Sequence, residues 1–351
     1  MHERALRTVL LIQAVEESDT QGELLPLAER AQATRSVVQG EADAHGAFAG
    51  DVLSRAGERL LARRAAHLHE RLRLRAPVTT QLLDVAGGSG AARGLTALAL
   101  LAGVLLAVLD GRGYIDLLGA ALLGLLAWNL LIYALLIANA VRPRALSGAG
   151  AARLYARWLA GRAASVLRRS RAFNAPLAAA LPRFTSDWGA LSRALVMQRA
   201  KRIVHSAAAL VAVGFIAGLL IRAVVLRADA AWSGTFWGAA VARVFLQLLY
   251  GPAAALAGIA LPAQARDAAA LHVTGAAPGV AALPWIYLIA LTLTLYIIVP
   301  RALAAALASV QLWRIGRRMA VPASVVAYAR RTLAEPAAAV GDALPDQAAV
   351  I

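Results

Sequence analysis

The sequence predicts an all-α, polytopic membrane protein. The expected parts are four transmembrane helices, an interfacial or re-entrant helix and a cytoplasmic helical N-terminal region. Three observations carry this expectation. Sixty per cent of the residues are hydrophobic and the mean hydropathy is +0.63, too apolar for an ordinary soluble domain. The formal net charge is nevertheless +16, so charge is sorted away from the apolar runs. Finally, segment 142–202 holds thirteen basic residues against one acid, Asp187, with long apolar runs on both sides. Flanked in this way, it reads as a cytoplasmic loop under the positive-inside rule.

Residues 1–90 form the expected cytoplasmic helical region, with eleven Arg balanced by twelve acids. Leu6, Val9 and Leu10 recur at helical spacing, so 3–17 is expected to be an amphipathic helix. Glu3, Glu16, Glu17 and Gln13 argue against a cleavable signal peptide there. Ser18-Asp19-Thr20-Gln21-Gly22 is a break, and Pro26 suits the first turn of a second helix. That helix extends from Leu27 towards Leu74, with weak points at Gly40, Gly46, Gly50 and Gly57. So few large apolar side chains give this region a thin core of its own. Gly87-Gly88-Ser89-Gly90 lacks the Lys-Ser/Thr of a phosphate loop and reads as a link into the membrane.

A transmembrane hairpin is expected over 91–141, with spans at about 93–110 and 117–141. The run Leu95–Leu109 is short: at ~1.5 Å per residue it falls below the ~30 Å hydrocarbon core unless Arg93 snorkels. Asn129 lies mid-span, where a polar side chain turns towards other helices. The basic loop 142–202 follows, then a third span within 203–226, anchored by Lys201 and Arg202 at one end and Arg222 at the other. His205 and Ser206 sit at its inner mouth.

Residues 227–282 are expected to face outward. Within them, 236–260 is long enough to span, but Arg243, Gln247 and Gly251 share one helical face and Gly251-Pro252 is expected to break the helix. An interfacial or re-entrant segment follows from that pattern. A fifth crossing would also place the basic tail outside, against the charge rule. The last span is 283–305, with Trp285 and Tyr287 as outer interface anchors and Arg301 reaching for headgroups. The tail is 306–351.

The sequence excludes much chemistry. With no Cys there are no disulfides, thiolate metal sites or Cys nucleophile. His67 and His69 are two apart on a helix and point to different faces. His69-Glu70 lacks a second His at metalloprotease spacing, because Arg73 stands there. Ser206 beside His205 is not a hydrolase pair, since adjacent helical residues do not face each other. No carboxylate lies within an apolar span, which weakens a proton-coupled carrier. No catalytic residue, metal site or cofactor is expected. The residues singled out are Arg243 and Gln247 as a ligand or lipid contact, Asn129 as a packing residue, and Arg222, Trp285 and Tyr287 as membrane anchors. In the basic loop, Tyr155, Trp158, Phe173, Phe184 and Trp188 are interleaved with Arg, as in nucleic-acid binders. Lipid is the nearer anion, and each basic residue at such a surface contributes about 1 kcal/mol. Leu154, Tyr155, Trp158 and Leu159 suit a helix lying on that leaflet, so the phospholipid bilayer is the expected partner and nucleic acid is not.

Several strings carry a resemblance. They are Leu24-Leu25-Pro26-Leu27-Ala28-Glu29-Arg30 with Ala33-Thr34-Arg35, Ile221-Arg222, and Ala231-Trp232-Ser233-Gly234-Thr235-Phe236. Gly251-Pro252-Ala253, Gly258-Ile259-Ala260-Leu261-Pro262 and Val299-Pro300-Arg301 complete the set. In their order they resemble an uncharacterised family of bacterial inner-membrane proteins of unknown function, encoded beside a GTPase-like protein. The family pattern carries an acid after Trp232, where this chain has Ser233. The resemblance implies a multi-pass inner-membrane protein with a GTPase-like cytoplasmic partner and transfers no catalytic residue. With both termini cytoplasmic, a non-enzymatic membrane anchor or scaffold is the expected function. The alternatives are a small solute or ion transport component and a lipid-modifying membrane enzyme.

Overall fold

The computed structural model describes residues 1–39, 47–50, 52–87, 91–141, 157, 159–162, 164–165, 175–234, 238–273 and 279–333. They are predominantly helical and divide into two units. The first comprises 1–90, 147–197 and the chain from Gln311, and the second comprises 91–146 and 198–310.

The first unit is built on α1 (Glu3–Ser18). Every residue from Val9 to Val15 is buried, so α1 is covered all round rather than amphipathic as expected. The covering comes chiefly from α3 (Arg55–Arg75) and α7 (Ala175–Leu191), with α12 (Ala323–Leu333) and the short helix 78–87 adding to it. Asp19 ends α1. Its carboxylate accepts the N–H groups of Glu23, Leu24 and Leu25 at 2.8, 3.1 and 2.8 Å, which turns the chain into α2 (Leu27–Gln39). The expected long second helix is interrupted. A two-residue hairpin, β1 (Phe48–Ala49) with β2 (Val52–Leu53), precedes α3, which Ser54 caps by accepting from the Gly57 N–H at 3.1 Å. The short helix α4 (Val78–Gly87) follows.

The thin core expected for 1–90 is completed by residues far away in sequence. Leu177, Phe184 and Trp188 of α7 and Val325 and Tyr328 of α12 join Leu6, Leu10, Leu60 and Leu68 in one cluster. The described parts of the expected loop 142–202 up to Met197, and of the expected tail 306–351 from Gln311, therefore belong to the same body as 1–90. Leu159 is buried in this cluster, not laid on a leaflet; Leu154, Tyr155 and Trp158 lie outside the described residues. Arg64 ties four helices together. It donates to Glu16 at 2.8 Å, to the Thr34 hydroxyl at 2.8 Å and to the Tyr328 hydroxyl at 2.7 Å. Burial pushes the Tyr328 hydroxyl well above the usual tyrosine range, so it keeps its proton and donates to Glu16.

The second unit holds the apolar helices: α5 (Ala91–Val108), α6 (Ala120–Val141), α8 (Arg193–Val224, its first residues in the first unit), α9 (Ala239–Leu256) and α10 (Ala282–Leu293). A π-helical turn, Thr294–Ile298, joins α10 to α11 (Val299–Arg317) without interruption. Four stretches are long and apolar enough to cross a membrane: Ala120–Ala138, Arg193–Val224, Ala239–Leu256 and Ala282–Arg317. The chain is an all-α polytopic membrane protein. The expected first span is the short one, Gly94–Val108, while the segment expected to be interfacial or re-entrant is long enough to span. α9 also runs through Pro252 instead of breaking there. The reason is tertiary: Ala242, Leu246, Tyr250, Ala253 and Ala254 form a buried stripe, and α9 packs on α10.

α5 is held by backbone contact with α8. A Cβ on Gly103 would stand 2.1 Å from the Val211 carbonyl oxygen, and one on Gly214 would stand 2.1 Å from that of Leu100. Gly218 completes a Gly-x-x-x-Gly pattern, the small-residue surface that lets membrane helices meet closely. Beyond α5, β3 (Tyr114–Asp116) pairs in parallel with β4 (Asp229–Ala231), and Ala230 and Trp232 bridge to Val280 and His272. The hairpin turn and these described parts of the 227–282 region thus form a single cap.

Gly214→Ala is expected to cost at least about 1–3 kcal/mol, the usual price of overpacking, seen as a lower thermal midpoint of the detergent-solubilised protein. Gly124→Ala, where a Cβ meets nothing within 4 Å, should not lower the midpoint. Equal midpoints for the two variants would contradict the glycine contact.

Candidate functional site

The site begins with a missing proton donor. Pro300 has no N–H, so the carbonyl of Tyr296, four residues earlier, loses its helical partner. The π-helical turn at Thr294–Ile298 marks this defect. The Tyr133 hydroxyl of α6 repairs it, donating to the Tyr296 oxygen at 3.0 Å.

The next residue, Arg301, is only 2% exposed. Its Nε donates to Asn129 Oδ1 on α6 at 2.8 Å, and its Nη1 donates to His205 Nδ1 on α8 at 3.1 Å. The guanidinium also lies over the Tyr133 ring, 5.1 Å from the centroid. Asn129 Nδ2 donates to the Leu125 carbonyl at 2.8 Å, which leaves its oxygen free for Arg301. Arg can only donate, so His205 must accept at Nδ1 and carry its proton at Nε2. α6, α8, α10 and α11 contain no Asp or Glu at all. The arginine charge is therefore held by neutral partners in an apolar surrounding, where charge is costly.

The structure moves several of the residues singled out in the sequence. Asn129 is buried and bonded to Arg301. Arg301 turns inward instead of reaching for headgroups, because helical side chains lean towards the N-terminus of their helix. Arg222 is 3% exposed and is not a snorkelling anchor. It donates to the Ala107 carbonyl (3.2 Å), Asp110 (3.1 Å) and the Arg112 and Tyr114 carbonyls (2.6 Å each), closing the C-terminal end of α5 and the turn after it. Trp285 is 1% exposed and meets Tyr250 edge-on, centroids 6.0 Å apart; it fills the α9–α10 contact and is not at an outer interface. Tyr287, at 56% exposure, does lie on the surface. Arg243 and Gln247 are exposed on α9 and are not brought to the Arg301 cluster. Tyr133 carried no signal in the sequence beyond its apolar setting. The detectable cue was Val299-Pro300-Arg301 itself, a proline and a cation in an acid-free apolar run.

A second polar group lies in the cap. Asp116 accepts from the Leu118 N–H at 3.1 Å, from the Ser233 hydroxyl at 3.1 Å and from Arg112. Burial raises its carboxyl above the usual range. An acid at 233 would set two carboxylates against each other here; Ser233 supplies a donor instead. Among the described residues no group of three or more His, Asp or Glu is placed to hold a metal ion.

No family model matches the chain, and no curated protein or solved structure matches it either.

Asn129→Leu leaves the Arg301 Nε without its acceptor and should lower stability by about 1.5–3 kcal/mol, the range for hydrogen bonds to charged groups. Tyr133→Phe frees the Tyr296 carbonyl and should cost about 1 kcal/mol. Thermal unfolding in detergent measures both. A smaller loss for Asn129→Leu than for Tyr133→Phe would refute the ranking.

Proposed function

We propose that this chain is a non-enzymatic protein of a bacterial inner membrane. Both termini are cytoplasmic, and its helical first unit docks a soluble protein partner. The shared core carries this reading: three segments separated by apolar helices contribute to one body. A folded body lies on one side of a bilayer, so each excursion from it, 91–146 and 198–310, crosses an even number of times. In the first excursion α5 and α6 cross. At ~1.5 Å per residue the 18 residues of α5 cover roughly 27 Å, near the ~30 Å hydrocarbon core. In the second, α8 and the continuous α10–α11 cross, and α9 enters and leaves by the same face. The basic segment 142–202 then shares a side with both termini, the side that the positive-inside rule makes cytoplasmic.

The docking face is the outer ridge of α3. Arg55, Arg59, Arg63, His67 and Arg71 recur every four residues and are exposed. Such a ridge suits an acidic surface on a soluble protein, and a GTPase-like partner is the class that the sequence resemblance implies. The full-length protein, purified from native membranes, is expected to retain a soluble partner that the Arg59→Glu/Arg71→Glu variant loses at least about tenfold, with an unchanged thermal midpoint. Equal retention would sink this reading. A reporter fused after Gln264 should give no cytoplasmic signal; a cytoplasmic signal would overturn the topology.

The Arg301 cluster favours a second reading, a component of a small solute or ion pathway, because an intramembrane cation marks such pathways. Flux through liposomes that is indifferent to Asn129→Leu would count against it.

A further inference from the structure

One face of α11 is exposed along its length. Leu303, Leu307 and Val310 recur at i, i+4 and i+7 and are all exposed. Trp313 follows on the same face at 58% exposure. Next come Arg314 and Arg317 in the last turn and Arg318 directly after it, all exposed. No charged residue stands between Arg301 and Arg314. The face thus passes from aliphatic side chains through an indole ring to three cations. A membrane leaflet passes in the same order from acyl chains to headgroups.

The cationic end is arranged as well as charged. Arg317 leans back one helical turn, its guanidinium carbon 4.4 Å from the centre of the Trp313 ring. Stacking covers one guanidinium face and leaves the N–H edge for an acceptor. Arg314 leans the same way, towards the apolar part of α11. Among the described residues no carboxylate pairs with Arg314, Arg317 or Arg318, and the Trp313 ring N–H has no acceptor. Glu3 stands on the buried side of the helix, by Gly316, and pairs with Arg7 at 3.4 Å. The dipole of α11 favours cations at this end. It does not account for the exposed Trp313 beside them, whose apolar body and polar N–H suit a boundary between lipid and water.

We infer that Trp313, Arg314, Arg317 and Arg318 bind the headgroup of an anionic phospholipid. Its phosphate oxygens accept from the guanidinium edges and the indole N–H. Three cations without an acid select a net negative headgroup over a zwitterionic one, whose ammonium group they repel. The acyl chain lies along Val310, Leu307 and Leu303. The site rests on the membrane-spanning architecture and is independent of any soluble protein partner.

The test reconstitutes the full chain in phosphatidylcholine vesicles. Either phosphatidylglycerol or phosphatidylcholine with brominated acyl chains is added at equal mole fraction. Bromine quenches tryptophan on contact, and the signal of Trp313 is the difference between the native chain and Trp313→Phe. Brominated phosphatidylglycerol is expected to quench Trp313 more than brominated phosphatidylcholine does. Arg314→Gln/Arg318→Gln, a pair of exposed changes, should lower that preference about tenfold, the effect of removing two cations from an anionic surface. The thermal midpoint of this variant in phosphatidylcholine should match that of the native chain. Equal quenching by the two lipids, or an unchanged preference in the variant, overturns the site. So does the absence of Trp313 quenching by either lipid, which would leave this face in water and open to a soluble partner.

Discussion

The interior of a bilayer offers no water to a stranded carbonyl, and Pro300 strands one at Tyr296. Everything around Arg301 follows from how that defect is resolved. The helix widens by one π-helical turn, and Tyr133 reaches across from α6 to the open oxygen. This fixes α6 beside α10–α11. It also places the Tyr133 ring under the guanidinium and brings Asn129, one helical turn away on α6, to the Arg301 Nε. A backbone fault and a buried charge are therefore satisfied by the same helix face.

α8 is the second organiser. Along one helix it carries His205 for Arg301, the Gly214 and Gly218 surface that admits α5, and Arg222, which closes the end of α5. The short apolar helix α5 needs this support. It has no long hydrophobic flank to hold it, and its contact with α8 is made through backbone atoms. Past Arg222, β4 picks up β3 and completes the cap around Asp116. Polar groups thus occur at two levels of the second unit: an acid-free cation cluster between apolar helices, and an acid held by three donors in the cap.

The first unit shows how far the sequence carries and where it stops. The helix end at Asp19 falls in a polar break that is local and therefore legible, whereas the start of α3 at Ser54 is not, because helical spacing alone carries on from Leu27 towards Leu74. Nor is the covering of α1 legible. Gln13 and Glu16 make α1 look one-sided, yet Trp188 and Tyr328 come from beyond the membrane helices to enclose it. The basic segment that holds Trp188 reads as a cytoplasmic loop, because its arginines dominate the count while Phe184 and Trp188 enter the core. Deeply buried Trp285 shows the same limit. Its type suggests a membrane interface, and its partner, Tyr250, lies on another helix.

The sequence by itself determined the all-α class, the apolar stretches, the acid-free spans and the basic segment between them. These depend on residue type summed along a few helical turns, and hydropathy and charge are sums of that kind. Only the tertiary structure decided that Arg301 points inward to Asn129 and His205, that Arg222 closes α5, and that three separated segments share one core. Those outcomes depend on which side of each helix meets which neighbour, across separations of 172 and 115 residues for the Arg301–Asn129 and Arg222–Ala107 bonds. No local pattern encodes that choice, because many rotations of an apolar helix bury the same hydrophobic surface and only one pairs the polar groups.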